Sequence, residues 1–316
     1  MRVWPVLLVV LLAGCTAPMD GAEGDGDADP FPRGIAWRDP ATGRVVGPGG
    51  VVADGPVVGV GFDLHDDLLV TTTENGLVVM RPGAAAQHVR VDGLEALARP
   101  SADPQGTRVV VQALDPTRQG GAMEDLDVFV VSLADGAWRR LSDRPVNEES
   151  PEWSADGARI AFSSFDPEAG IGLHIVDETG ASVLDIEDGG GIHLGWSADG
   201  SRLVEPGRLR VYDAATGALV ADLRDAALDG LQAAGFTPET RYEGQAGRGT
   251  FPLDGAFSPD GTRLVFDGAV AGGPPRVLVA TMGLDGSGFE VVAGPFPVDP
   301  DGTNGLNFSE TNPVWR

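Results

Sequence analysis

Short apolar runs bounded by polar turns recur along the chain. Two of the clearest, RIAF at 159–162 and RLVF at 263–266, have the length and composition of β-strands. Each follows a polar turn, and each turn follows another short strand. The surrounding pattern repeats: residues 151–162 read PEWSADGARIAF, 194–204 read LGWSADGSRLV and 255–266 read GAFSPDGTRLVF. A degraded copy, PSADPQGTRVV, occupies 100–110, and NPVWR at 312–316 reads as the opening of another. The repeated glycines Gly106, Gly157, Gly200 and Gly261 are 51, 43 and 61 residues apart. Repeats of about 40–50 residues built from short strands predict a β-propeller, with one four-stranded blade per repeat.

Each conserved type within the copies has a physical task. The aromatic (Trp153, Trp196 or Phe257) sits where an inner strand meets its neighbour and can fill the wedge between blades. Asp-Gly signals a hairpin, because the turn needs a positive φ that glycine adopts without cost. The serine two residues before the aspartate can bond the turn backbone. An ordinary β-sandwich with several Asp-Gly turns would not repeat one ten-residue pattern four times.

These residues resemble the TolB-type propeller repeat, a Pro-x-Trp-Ser-Pro-Asp-Gly run followed by a basic residue and an Ile-Ala-Phe-like strand. Residues 255–266 and 151–162 match best, and the resemblance spans about 60–310. It implies an all-β propeller whose central funnel is where partners dock. TolB itself also carries an α/β domain ahead of its propeller. The length here leaves no room for one, so the expectation is a propeller alone.

The blade openings fall near 59, 99, 151, 194, 255 and 312, with Phe62 and Ala102 in the aromatic slot of the first two. The last opening has no strands after it. At the other end, 34–46 reads as strand, turn, strand with no opening before it, like the outer half of a blade at 211–220. The expectation is a six-bladed ring over 33–316, closed by the two chain ends sharing the last blade, which removes free sheet edges. Two stretches exceed the repeat: 225–250, with a short helix expected near 226–234, and the loop-rich 114–127.

Ahead of the propeller, Met1-Arg2 precedes an apolar run, Val3 to Leu12, and then Leu12-Ala-Gly-Cys15. This is the layout of a signal peptide over 1–14. Its apolar run is shorter than the roughly 20 residues that span a bilayer. Leu-Ala-Gly-Cys resembles the lipobox of bacterial lipoproteins, which implies cleavage before Cys15 and its acylation. Cys15 is the only cysteine in the chain. Residues 15–32 then read as an acidic, glycine-rich tether. Thr16, where enteric bacteria use Asp to retain lipoproteins at the inner membrane, favours the outer membrane, with the protein facing periplasm or cell surface.

Charge narrows the partners. The formal charge is −25, and loss of residues 1–14 takes it to −26, because they carry Arg2 and no acid. That surface argues against nucleic acid and against direct contact with anionic lipid, leaving the anchor on Cys15 as the membrane attachment. All 22 basic residues are arginine, which reads as base composition and not as a site. A monomer of this size needs no disulfide to hold its core.

Signatures of catalysis are missing. There is no G-x-S-x-G, no H-E-x-x-H, no P-loop and no thiol after Cys15; the glycines at 189–191 read as a turn. Of the four histidines, His65, His88, His174 and His193, only His193 falls in a channel-type position. One loop has the ligand spacing of a calcium site: Asp299, Asp301, Thr303, Gly305 (through its carbonyl) and Glu310. It departs from an EF-hand in having Asn304 for glycine and no flanking helices. The other candidate surface is the residue three before each aromatic slot: Gly59, Arg99, Ser150, His193, Asp254 and Asn312. These would ring one mouth of the channel, with Glu148, Glu149 and Glu310 nearby. All but Gly59 are polar and they differ between copies, as an asymmetric ligand would require. The resulting expectation is an envelope lipoprotein whose propeller is a non-catalytic scaffold, binding a protein or envelope glycan through its loops and funnel. The alternative is a metal-dependent lyase or hydrolase with its site at the channel mouth.

Overall fold

The repeat folds as a strand, a five-residue loop and a second strand. In the copy at 151–162 the loop closes when Ser154 N–H bonds the Arg159 carbonyl (2.9 Å) and Gly157 N–H bonds the Ser154 carbonyl (2.8 Å). The Ser154 hydroxyl accepts from Arg159 N–H (3.0 Å) and donates to Asp156 Oδ1 (2.6 Å). Ser197 and Ser258 make the same bonds to their own turns. Gly157, Gly200 and Gly261 take φ of +69°, +68° and +67°, the left-handed conformation the motif anticipates. The strands therefore join through this longer loop, with glycine at its left-handed position, and not through a two-residue Asp-Gly turn. In the degraded copy Asp103 replaces the serine. It is fully buried and accepts from Thr107 N–H (2.7 Å), Arg108 N–H (3.0 Å) and Arg108 Nε (2.9 Å).

The computed structural model describes residues 35–39, 44–47, 50–56, 62–65, 68–73, 76–81, 84–117, 126–142, 144–166, 168–187, 189, 191, 193–239, 254–271, 276–297 and 314–315. The chain enters through β1 (Ile35–Arg38), β2 (Arg44–Gly47) and β3 (Gly50–Pro56). Five sheets of four consecutive strands follow. The first contains β4 (Phe62–His65), β5 (Leu68–Thr73), β6 (Gly76–Met80) and β7 (Gln87–Arg90). The second contains β8 (Glu95–Ala102), β9 (Arg108–Leu114), β10 (Leu126–Ser132) and β11 (Trp138–Arg140). The third contains β12 (Asn147–Trp153), β13 (Arg159–Asp166), β14 (Gly170–Asp177) and β15 (Ser182–Glu187). The fourth contains β16 (Gly195–Trp196), β17 (Arg202–Glu205), β18 (Arg210–Asp213) and β19 (Leu219–Asp222), and is followed by helix α1 (Arg224–Ala233). The fifth contains β20 (Gly255–Phe257), β21 (Arg263–Val270), β22 (Arg276–Gly283) and β23 (Glu290–Pro297).

Of the six blades expected from the sequence, the described residues give five that are each made from one continuous stretch. The last strand, β24 (Val314–Trp315), joins the first three in a further four-stranded sheet, in the order β24-β1-β2-β3. Ile35 pairs with Trp315 and Ala36 with Val314, antiparallel. The N-terminal segment therefore supplies three strands of this sheet, with β1 next to β24. That corrects the expectation that it forms only the outer half.

The strand β8 lies against β4 and β12, β12 against β16, β16 against β20 and β20 against β24, so the first strands of successive sheets make the inner ring. Side chains alternate to the two faces of each sheet, and both faces are covered by neighbouring sheets. Val109 and Val111 pack on the β4–β7 sheet, whereas Val110 packs with Trp153, Ile160 and Phe162 of the next sheet. Middle strands such as β13 are therefore mainly buried, while the outermost β15 and β19 are mainly exposed. Trp37 of β1 packs on Val265 and Val279, which seats the composite sheet on the β20–β23 sheet.

The basic residue of the motif joins neighbouring blades. Arg159 stacks 4.8 Å from the Trp196 ring centroid and donates to the Gly200 carbonyl (2.8 Å). Arg108 stacks 4.9 Å from the Trp153 ring, and Arg202 donates to the Gly261 carbonyl (3.4 Å).

Candidate functional site

The turns follow the inner strands; of the candidate residues upstream of them, Arg99 and Ser150 lie within β8 and β12, and His193 and Asp254 lie just before β16 and β20. In β8 the register with β9 shifts between Ala98 and Ser101, and in β12 the register with β13 shifts between Glu149 and Glu152. One extra residue is inserted at each place, a β-bulge that re-aims a side chain. The bulges hold Arg99-Pro100 and Ser150-Pro151. Arg99 and Ser150 take φ of +53° and +55°, and His193, at the aligned position before β16, takes +69°. Left-handed backbone at a non-glycine residue costs about 1 kcal/mol or more, so three equivalent positions carry local strain.

The strained backbone brings side chains from four sheets together. Arg99 Nη1 and Asp254 Oδ1 both contact His193 Nδ1. The Ser150 hydroxyl accepts from His193 N–H (2.9 Å), and Ser150 N–H donates to Gln112 Oε1 (2.8 Å). Asp254 N–H donates to Asp267 Oδ1 (2.9 Å), while its carbonyl accepts from Asp267 N–H (3.0 Å). The side chains of His193 and Asp254 are 8% and 3% exposed.

Burial first, and then the Arg99 charge, drive the His193 pKa well below the usual imidazole value. The ring is neutral, so its contact with Asp254 is a hydrogen bond and not an ion pair. One nitrogen cannot serve both neighbours at once. With Nδ1 bare it accepts from Arg99; with Nδ1 protonated it donates to Asp254. Its Nε2 has no hydrogen-bond partner among the described residues. Burial raises the pKa of Glu149, against the pull of the Arg99 charge.

Of the ring residues predicted from sequence, Arg99, Ser150, His193 and Asp254 converge; Gly59 and Asn312 lie outside the described residues. So do Cys15 and the whole calcium candidate, Asp299, Asp301, Thr303, Gly305 and Glu310. Glu148 does not join the mouth. Its side chain is buried, with Oε1 accepting from the Ser142 hydroxyl (2.5 Å). Adjacent residues in a strand point to opposite faces, so Glu148 and Glu149 cannot both line the funnel.

Three participants were not anticipated: Gln112, Asp267 and Glu205. Gln112 and Asp267 interrupt apolar runs within their strands and Glu205 ends one, and that interruption was the available signal. Glu205 is 1% exposed, and its Oε1 accepts from Arg208 N–H (3.0 Å). Burial lifts its carboxyl to about 8, against the neighbouring Arg208. A Cβ on Gly191 would fall 2.5 Å from Glu205 Oε1, so the approach of the chain at 191 to this carboxyl depends on glycine. Among the described residues, no three His, Cys, Asp or Glu side chains converge as a metal site would require.

The sequence matches no protein-family profile and no curated protein. Solved structures share its fold. TolB from Acinetobacter baumannii is similar at 18% identity and a TM-score of 0.57, over 90% of this chain and 67% of that one. A putative TolB from Agrobacterium tumefaciens is similar at 16% identity and a TM-score of 0.52, over 83% and 88%. An oligogalacturonate lyase in complex with manganese is similar at 15% identity and a TM-score of 0.50, over 77% and 67%. At such identities the likeness is one of fold, and the fold is a TolB-like β-propeller.

Proposed function

We propose that this protein is a cell-envelope lipoprotein, anchored to the bacterial outer membrane through acylated Cys15, whose propeller acts at its channel mouth as a non-catalytic scaffold. The β24-β1-β2-β3 sheet serves as the sixth blade and closes the ring. A protein or envelope glycan docks at the channel mouth. The observation that carries this reading is the convergence of Arg99, Ser150, His193 and Asp254 from four sheets, three of them on left-handed backbone. Strain of that kind persists where the surroundings over-determine it, which suits a site that presents fixed, non-equivalent polar groups. The similarity in fold to TolB is consistent with a partner-binding propeller and with an envelope location.

The test is capture of a partner from the protein's own envelope, comparing the parent with Arg99→Ala/His193→Ala/Asp254→Ala. The variant is expected to lose capture by tenfold or more (about 1.4 kcal/mol) and to remain folded. Undiminished capture would place the site elsewhere. Mass spectrometry of the mature N-terminus tests the anchor separately: an acylated Cys15 supports it, and an unmodified start elsewhere refutes it.

A second reading, a metal-dependent lyase or hydrolase, is favoured by the unpartnered His193 Nε2 beside Asp254 and by the similarity in fold to a lyase that holds manganese. The 299–310 loop is a separate proposal, for calcium. Partner capture with and without chelator, and a melt with added calcium, test both, since a metal bound only by the folded state raises the melting temperature.

A further inference from the structure

A second polar cluster lies across three adjacent strands of the β12–β15 sheet. Ser164 on β13 places its hydroxyl 2.8 Å from His174 Nε2. His174 on β14 places Nδ1 2.5 Å from Asp185 Oδ1 on β15. Register accounts for the arrangement: His174 pairs directly with Asp185 and Ser164 with Gly172, so all three side chains share one face. Asp185 is braced by Arg144 Nη2 (2.9 Å) and by the Ser182 hydroxyl (3.1 Å).

The proton arrangement follows from the surroundings. Burial is the main effect lowering the His174 pKa, opposed by the Asp185 hydrogen bond, so the ring is neutral at pH 7. Burial is the largest effect on the Asp185 carboxyl and would raise its pKa, but His174, Arg144 and Ser182 together outweigh it and the group stays a carboxylate. Nδ1 therefore carries the proton and donates it to Asp185, leaving Nε2 bare toward the Ser164 hydroxyl. That is the state in which an imidazole can take a proton from a serine.

Space is also present. A Cβ on Gly172 would lie 2.9 Å from His174 Nε2 and 3.1 Å from Ser164 Oγ. The missing side chain leaves a carbon-sized gap touching both atoms, where a reacting acyl carbon would sit. Gly172 is partly exposed, and a Cβ on nearby Gly170 would meet nothing within 4 Å, so this edge opens to solvent. On the other side of β13, Glu148 pairs directly with Ser164. Its Oε2 is buried without a hydrogen-bond partner among the described residues, and burial lifts the carboxyl to about 7.

We propose that Ser164 is an activated nucleophile toward small carboxylic esters, with His174 as its base and Asp185 as the positioning residue. The Oγ–carbon bond forms as the Ser164 proton passes to His174 Nε2. The ester C–O bond breaks, and the leaving oxygen takes that proton and departs as an alcohol. Water then attacks the acyl-serine, giving a proton to His174. The carboxylic acid is released as Ser164 recovers its proton.

The test uses the folded full chain, a fluorophosphonate probe with peptide mapping, and p-nitrophenyl acetate turnover. Label is expected on Ser164. His174→Gln should lower labelling and turnover at least tenfold, as loss of a general base does. Asp185→Asn should lower kcat more than it raises KM and should shift the pH profile, which a merely structural role would not do. Its half-exposed position keeps this variant informative if His174→Gln fails to fold. Absence of label on Ser164 in the folded parent, or equal labelling in folded His174→Gln or Asp185→Asn, would overturn the proposal and show a hydrogen-bond network that only ties the sheet together.

Discussion

The two ends of the inner strands differ in kind. At the turn end, Ser154, Ser197 and Ser258 make the same bonds, the glycines share one conformation, and Arg159 and Arg202 each reach the turn carbonyl of the next blade. Upstream of the turns, the aligned positions hold Arg99, Ser150, His193 and Asp254, with no shared side-chain chemistry. Blades must be joined in the same way all round the ring, so the joining end repeats. Nothing about joining requires the mouth to vary, and a site for one asymmetric ligand would require it. The strain points the same way: left-handed glycines relax the turn end, whereas the mouth holds left-handed Arg99, Ser150 and His193.

The comparison can be broken most forcefully at the turn end. Arg159→Ala removes the stacking on Trp196 and the bond to the Gly200 carbonyl together. We expect a loss of about 2–3 kcal/mol with partner capture intact at temperatures where the protein is folded. A melt and a capture assay on the same sample check both parts.

Glu205→Gln sharpens the comparison through pH. The native carboxyl titrates at about 8, and an ordinary glutamate titrates near 4.5. Its stabilising contribution is therefore full below pH 4.5 and is lost as pH rises through 8. Glutamine imitates the protonated form. The variant should match the parent at pH 4 and exceed it by at least about 1–2 kcal/mol at pH 9. Denaturant melts at the two pH values measure the difference. His193 works in the opposite direction: its depressed pKa contributes stability above the unfolded value near 6.5 that is lost as pH falls below it.

The smallest expected effect is the most diagnostic. Arg99→Gly relieves a left-handed residue, so stability should hold or rise by up to about 1 kcal/mol. Capture should nonetheless fall. A mouth that mattered only for folding would show the reverse.

How far the sequence could be read follows the same division. The turn end is written in contiguous residues, so the repeat, its glycine conformation and its serine bonds were legible. The short helix was expected near 226–234 and is α1, Arg224–Ala233. The sharing of one sheet by the two chain ends was legible too, because both carried fragments of the repeat, although β1 takes a more inward place than its sequence suggested. Alignment of the copies was enough to bring Arg99, Ser150, His193 and Asp254 together in one cluster. It could not reveal the bulges, because inserting a residue into a ladder depends on the partner strand. Nor could it reveal Ser164, His174 and Asp185, which meet only through the registers of β13, β14 and β15. The motif's arginine was visible in every copy, but its reach to the next blade is a tertiary contact.

The most direct test of the central claim is photo-crosslinking in the native envelope, with the reactive group at Glu149 by the mouth or at Asp199 in a turn. The account predicts one discrete adduct from Glu149, abolished by His193→Ala with Asp254→Ala, and none from Asp199. A discrete adduct from Asp199, or a Glu149 adduct indifferent to those changes, would contradict it.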